Sequence, residues 1–271
     1  MAGFFGLFDY TKEGPGIRKD APKKKAFFVF FETFFRNFFK FVTINLVYVL
    51  LSIPVITHGM ASAGITNVAR NTARDKHSFG LSDFFETIRK NFKQSLIVGI
   101  INAVVTFLLI FTVRFYNDSY LQTKNIISFI GLGVSLSLIT CFAIMNFYIY
   151  TLMITFNFKI KELYKNSFKF VFVNLWKNLL CGIILIAVYA LYVGIAFLFN
   201  DLRVIVIELI IASVTLPAFR FLMIQFFTFG SIKKYIIDPY YKEHPDADIE
   251  KRRDLGLEVP EDKNEEEFFW E

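Results

Sequence analysis

Hydrophobic positions run along this chain in long blocks, separated by shorter segments where apolar and charged residues recur with a helical period. Residues 96–113 and 179–199 are blocks of the length a helix needs to cross about 30 Å of hydrocarbon. The segment 25–40 is different: it holds eight phenylalanines in sixteen residues. At 100° per residue Lys25, Glu32, Thr33, Arg36, Asn37 and Lys40 share one arc, and the phenylalanines fill the complementary one. That pattern predicts an amphipathic helix lying in the headgroup region, aromatic face down, which then runs into a first span at about 41–56. The construction recurs. Residues 83–93 are amphipathic and 94–115 apolar; residues 166–177 are amphipathic and 178–199 apolar. The elbows end alike, in Asn37-Phe38-Phe39-Lys40, Asn91-Phe92-Lys93 and Asn174-Leu175-Trp176-Lys177. Either these are three weakly repeated units, each an interfacial elbow followed by a transmembrane hairpin, or interfacial helices simply collect aromatics, Asn and Lys.

The return arms are 126–158 and 204–229, both long enough to cross. The first hairpin is the weak one. Its return, 55–69, is rich in small residues (Gly59, Ala61, Ala63, Gly64, Ala69) and interrupted by His58, Thr66 and Asn67. It can cross only if packed inside a bundle, where small residues allow close backbone approach; otherwise it is re-entrant. Gly59–Gly64 reads either as such a packing face or as a half-helix whose N-terminal amides bind an anion.

Composition agrees with the pattern: 55% of the 271 residues are hydrophobic and mean hydropathy is +0.47. The expected fold is all-α, a polytopic membrane helix bundle of five or six spans arranged as hairpins preceded by elbow helices. A polar arm occupies 1–24, the membrane domain 25–230, and an acidic tail 231–271, with seven basic and thirteen acidic residues. Basic residues cluster on one side. Segments 1–40, 70–93 and 159–177 hold eight, six and five, against Arg114, Lys124 and Arg203 on the other. The basic side is expected to be cytoplasmic, with both termini inside the bacterial plasma membrane and 57–69 returning the chain to that side. The first apolar stretch is studded with Glu32, Arg36 and Lys40, unlike a cleaved signal peptide. Once the membrane flanks are assigned no basic surface remains for nucleic acid.

Enzymatic signatures are missing: there is no HExxH, GxSxG, phosphate-binding loop or CxxC. No metal site or cofactor is expected, since His58, His77 and His244 are scattered and Cys141 and Cys181 sit inside apolar runs. Two charges, Glu208 and Arg220, interrupt the last apolar block. Intramembrane charge is costly and is by default a functional signal. Twelve residues apart, they are separated by about 18 Å of rise and about 120° around the axis, so they do not pair. Arg220 follows Pro217, which removes a helical hydrogen bond. A polar intramembrane site is therefore expected around Glu208 and Arg220, joined by Asn45, Asn102 and Asn146. The competing reading has Glu208 at the outer headgroups, Arg220 snorkelling inward and the asparagines as interhelical glue. The tail closes on Phe268, Phe269 and Trp270, in form a hook for a partner.

The motifs Gly6-Leu7-Phe8-Asp9-Tyr10, Gly14-Pro15-Gly16, Lys19-Asp20 and Pro22-Lys23-Lys24-Lys25 resemble the YesL family of bacterial membrane proteins. So do Pro54-Val55-Ile56-Thr57-His58-Gly59, Ala63-Gly64, Arg70, Arg74, Phe79, Ser82-Asp83-Phe84 and Lys90-Asn91-Phe92-Lys93-Gln94. The likeness covers about residues 3–95, and the later spans by hydropathy alone. Met60 stands where the family has proline. The resemblance implies a domain of unknown function encoded beside carbohydrate ABC importers, without established site residues. It leads to the expectation of a non-enzymatic accessory subunit contacting importer permease and ATPase subunits, with carbohydrate contact left open. The alternative is an independent small-molecule transporter or channel, with the lipid bilayer as partner in either case.

Overall fold

The structure, a computed structural model, describes residues 26–76, 78–199 and 201–244. The arm 1–24 and the tail residues Phe268, Phe269 and Trp270 lie outside them. The described chain is a bundle of α-helices: α1 (Ala26–Arg36), α2 (Phe38–Ser52), α3 (His58–Ala73), α4 (Leu81–Lys90), α5 (Phe92–Thr123), α6 (Ile126–Thr155), α7 (Ile160–Val173), α8 (Leu175–Phe199), α9 (Leu202–Ile232) and the short α10 (Asp238–Glu243). Four helices are long and apolar enough to cross a membrane, namely α5, α6, α8 and the continuous run from Leu202. The pair α1 and α2, bent by 74°, is a fifth candidate when counted as one broken span. This is the expected all-α polytopic membrane bundle, and its sixth candidate crossing, residues 55–69, falls largely in α3.

Each elbow breaks at an asparagine. Asn37, Asn91 and Asn174 leave helical geometry between α1 and α2, α4 and α5, and α7 and α8. In the first two the side chain turns back to the preceding helix, Asn37 Nδ2 donating to Thr33 O at 2.9 Å and Asn91 Nδ2 to Thr87 O at 3.1 Å. The asparagine carbonyl then accepts the first hydrogen bond of the next helix, from Phe41, Ser95 or Asn178. Asparagine suits this position because a short amide can occupy non-helical backbone and still satisfy a helix end. The phenylalanines and lysines that follow therefore belong to the spans, not the elbows, and the third elbow begins at Ile160, earlier than the expected 166. The first elbow is not wholly lipid-facing either. Phe30 and Phe34 are buried, in edge contact with Phe219 of α9, and Thr33 from the polar arc is buried too.

The hairpins return to the end from which they start. Lys40 Nζ donates to Thr72 Oγ1 at 3.2 Å, Gln94 Nε2 to Phe158 O at 2.8 Å, and Asn174 to the Ser231 hydroxyl. An ion pair between Arg36 and Asp75 closes the first unit. At the far end the turns are tight. Lys124 takes a left-handed conformation at φ 51°, Asn125 caps α6, and Asp201 caps α9. All three elbows thus lie at one end of the bundle. The core forms around α3, which contacts α2, α4, α5, α6 and α9. Ile44, Ile65, Tyr148, Leu152 and Leu222 are fully buried there.

A polar cavity at Arg220

Helix α3 crosses α5 with backbone against backbone. A Cβ placed on Gly59 would lie 2.5 Å from the Gly99 Cα and 2.3 Å from the Ser95 carbonyl oxygen, and one on Gly64 would strike the Phe84 ring. The small-residue stretch is therefore a packing face. Its N-terminal amides are partly used within the turn before it, Thr57 N donating to Pro54 O and His58 N to Val55 O.

Beside this crossing lies a cavity of about 550 Å³, with Arg220 on its wall. Three helices each bring a polar pair to it at i,i+4 spacing, which places both members on one face: His58 and Ser62 from α3, Asn102 and Thr106 from α5, and Asn146 and Tyr150 from α6. Asn102 organises the group. It donates to Asn146 Oδ1 at 2.9 Å and Tyr150 OH at 3.3 Å, and accepts from Tyr164 OH of α7 at 2.7 Å. Asn146 donates in turn to the Phe142 carbonyl, and His58 Nδ1 lies 3.2 Å from Ser52 Oγ. The larger part of the wall is apolar, with Phe107, Phe142, Phe147 and Phe221 beside Val55, Ile110 and Ile139. Arg220 has no hydrogen bond or ion pair among the described residues; its guanidinium carbon stands 5.4 Å from the centre of the Phe221 ring. The cavity thus brings a hydrogen-bonded set of amides, hydroxyls and rings to one cation with no hydrogen bond among the described residues.

Of the residues expected to form a polar site, the structure brings Arg220, Asn102 and Asn146 together and sends the other two elsewhere. Asn45 serves the proline kink. Its Nδ2 donates to Val214 O at 2.7 Å and its Oδ1 accepts from Ala218 N at 2.8 Å, so the side-chain amide is inserted into the α9 ladder next to Pro217. That is the glue reading, since a neighbouring helix satisfies backbone groups at the break. Glu208 lines a separate cavity of about 200 Å³ with Tyr189 and Tyr192 of α8, where Oε1 is buried without a hydrogen bond. His58, Ser62 and Tyr150 were not expected at the site; the i,i+4 polar pairs inside apolar helices are the signal that marks them. Among the described residues no group of three or more His, Cys, Asp or Glu could hold a metal ion.

Residues 41–113 match a family model described as "Protein of unknown function, DUF624". The matched segment contains α3 and the elbow α4, together with the cavity residues His58, Ser62, Asn102 and Thr106. No curated protein and no solved structure matches the chain.

Proposed function

We propose that this membrane protein is non-enzymatic and binds a small hydrophilic solute, negatively charged or rich in hydroxyl groups, in the Arg220 cavity, in the course of moving it. The observation that carries this reading is Arg220 itself, a cation within the apolar part of α9 that lines a cavity with polar groups and has no counter-ion among the described residues. A guanidinium at membrane depth is costly, and its planar fork matches carboxylate, phosphate or paired hydroxyls. The amides of Asn102 and Asn146 supply further polar contacts, and the phenylalanines offer flat faces to a ring. In this reading the elbow end is cytoplasmic, in a bacterial plasma membrane, supported by its excess of Lys and Arg.

A second reading, an accessory subunit of a carbohydrate ABC importer, is favoured by the YesL-like motifs. The aromatic surface of α1 also favours it: Phe27, Phe28 and Phe35 remain more than half exposed and available to another helix. The two readings separate in one pair of experiments. Purified protein is tested by thermal shift against sugar acids, sugar phosphates and neutral sugars, then by uptake into proteoliposomes, each beside Arg220→Gln. Saturable stabilisation and uptake, both lost in the variant, establish the transporter. Gentle extraction from the native cell with stoichiometric permease and ATPase subunits, and no uptake by the protein alone, establishes the accessory subunit.

A further inference from the structure

Apart from the Arg220 cavity, α1, α8 and α9 frame an apolar groove of about 540 Å³. We propose that this groove seats one anionic phospholipid of the elbow-side leaflet, with an acyl chain along it and the phosphate at Lys177.

The groove exists because the first elbow splays from the bundle. Helix α1 is bent 74° from α2, and α1 and α8 each pack on α9. Phe30, in edge contact with Phe219 and Phe226, makes the floor between them. Phe27 of α1 and Leu180 of α8, both more than half exposed, line its two sides. Register sets its ends. Asn174, the hinge before α8, bonds the Ser231 hydroxyl, so the neighbouring Gly230 lies level with the elbows. Phe219, eleven residues earlier on α9, lies about 16 Å deeper along the helix axis. The groove therefore runs from the elbow level to near the midplane of a hydrocarbon core about 30 Å thick, which is the depth of one leaflet.

Length and charge identify the occupant. A partner's transmembrane helix crosses both leaflets, whereas this groove ends near the midplane, as an acyl chain does. Among the residues lining it only Lys177 is charged, and it stands one turn past the Asn174 hinge, at the headgroup end. Lys177 has no hydrogen bond or ion pair among the described residues. The run Lys23-Lys24-Lys25 directly precedes Ala26, which also lines the groove, so covalent continuity adds positive charge beside it. Lysines gathered at the membrane surface attract anionic headgroups, and a long lysine stem lets the ammonium reach that level from an apolar wall. The mouth is open to a lipid entering from the bilayer, since a Cβ added at Gly230 meets nothing within 4 Å.

The test uses the full-length protein, released from nanodiscs of mixed phosphatidylglycerol and phosphatidylcholine into native mass spectrometry. Wild type is expected to retain one phosphatidylglycerol in preference to phosphatidylcholine. Gly230→Leu places a side chain in the open mouth and is expected to lower that retention at least tenfold. Gly182→Leu, on α8 outside the groove, is expected to leave it unchanged. Lys177→Gln should abolish the preference for phosphatidylglycerol and Lys177→Arg should keep it; this pair carries the test if Gly230→Leu does not fold. Retention of neither lipid by wild type, the result if another helix or the chain's own N-terminal arm fills the groove, overturns the proposal. So does equal retention of both lipids, retention unchanged in folded Gly230→Leu, or preference unchanged in Lys177→Gln.

Discussion

The first and third hairpins begin alike, at an elbow that breaks on an asparagine, and then diverge. In α3 eleven of sixteen residues are buried, six helices touch it, and eight of those eleven residues are Gly, Ala, Ser or Thr. In α8 three of twenty-five residues are buried, and Ile183, Ile186, Leu191 and Phe197 face outward. Of these two helices, the more apolar is thus the one that contributes less to the core. The reason is the solvent. Lipid-facing positions must be apolar, whereas a helix enclosed by other helices is free to carry small and polar groups that let backbones approach and hydrogen-bond. The helix that positions His58 and Ser62 at the cavity is not among those that hydropathy marks as spans.

That contrast can be broken most severely at the α3–α5 crossing. Gly59→Leu drives a side chain into the backbone of Ser95 and Gly99, whereas a Cβ added at Gly182 on α8 meets nothing within 4 Å, so Gly182→Leu enters open space. We expect the first to abolish a monodisperse, folded species in detergent, at a cost above about 3 kcal/mol, and the second to leave the thermal midpoint unchanged. Equal tolerance at the two sites would remove the distinction between a buried and a lipid-facing hairpin.

A smaller effect is expected where the two hairpins meet, at Asn45 and Pro217. Asn45→Ala leaves the Val214 carbonyl and the Ala218 amide without their partner, at a cost of about 1–3 kcal/mol. In a Pro217→Ala background the α9 ladder can close on itself, so the cost of Asn45→Ala should fall by about 1 kcal/mol or more. Additive effects in the cycle, read from unfolding midpoints, would show that Asn45 does not act through the kink.

The smallest effect concerns the hinges. Asn37→Ala removes a bond within its own helix, and Asn174→Ala removes one to Ser231 on α9. Each is expected to cost about 0.5–1 kcal/mol. Only Asn174→Ala should also loosen the third hairpin, read as faster hydrogen exchange around Ser231 with α3 unaffected. Faster exchange in α3 as well would mean that the hairpins are not separable in this way.

The long apolar blocks were legible as α5, α6, α8 and α9 because a span declares itself by length and composition. The elbows are legible from periodicity, and their common Asn is the hinge, although periodicity carries the first elbow past Asn37 to Lys40 and starts the third at 166 where α7 begins at Ile160. An asparagine in a run of aromatics does not say whether it ends one helix or begins the next; the hydrogen bonds to Thr33 and Thr87 decide that. Arg220, Asn102 and Asn146 were legible as polar exceptions. Asn45 looked the same and does something else, since its partner is a broken ladder 169 residues away.

By itself the sequence determined what depends on local composition: helices, spans, interfacial elbows, a basic end, and a short list of charges and amides too costly to be incidental in hydrocarbon. The tertiary structure alone decided what depends on which faces meet. It placed the small-residue helix at the centre, brought three i,i+4 polar pairs to one cavity with Arg220, and assigned Asn45 to a kink and Glu208 to another cavity. Helical period says which residues share a face, but the identity of the opposing face comes from packing between segments far apart in the chain, and no local pattern encodes it.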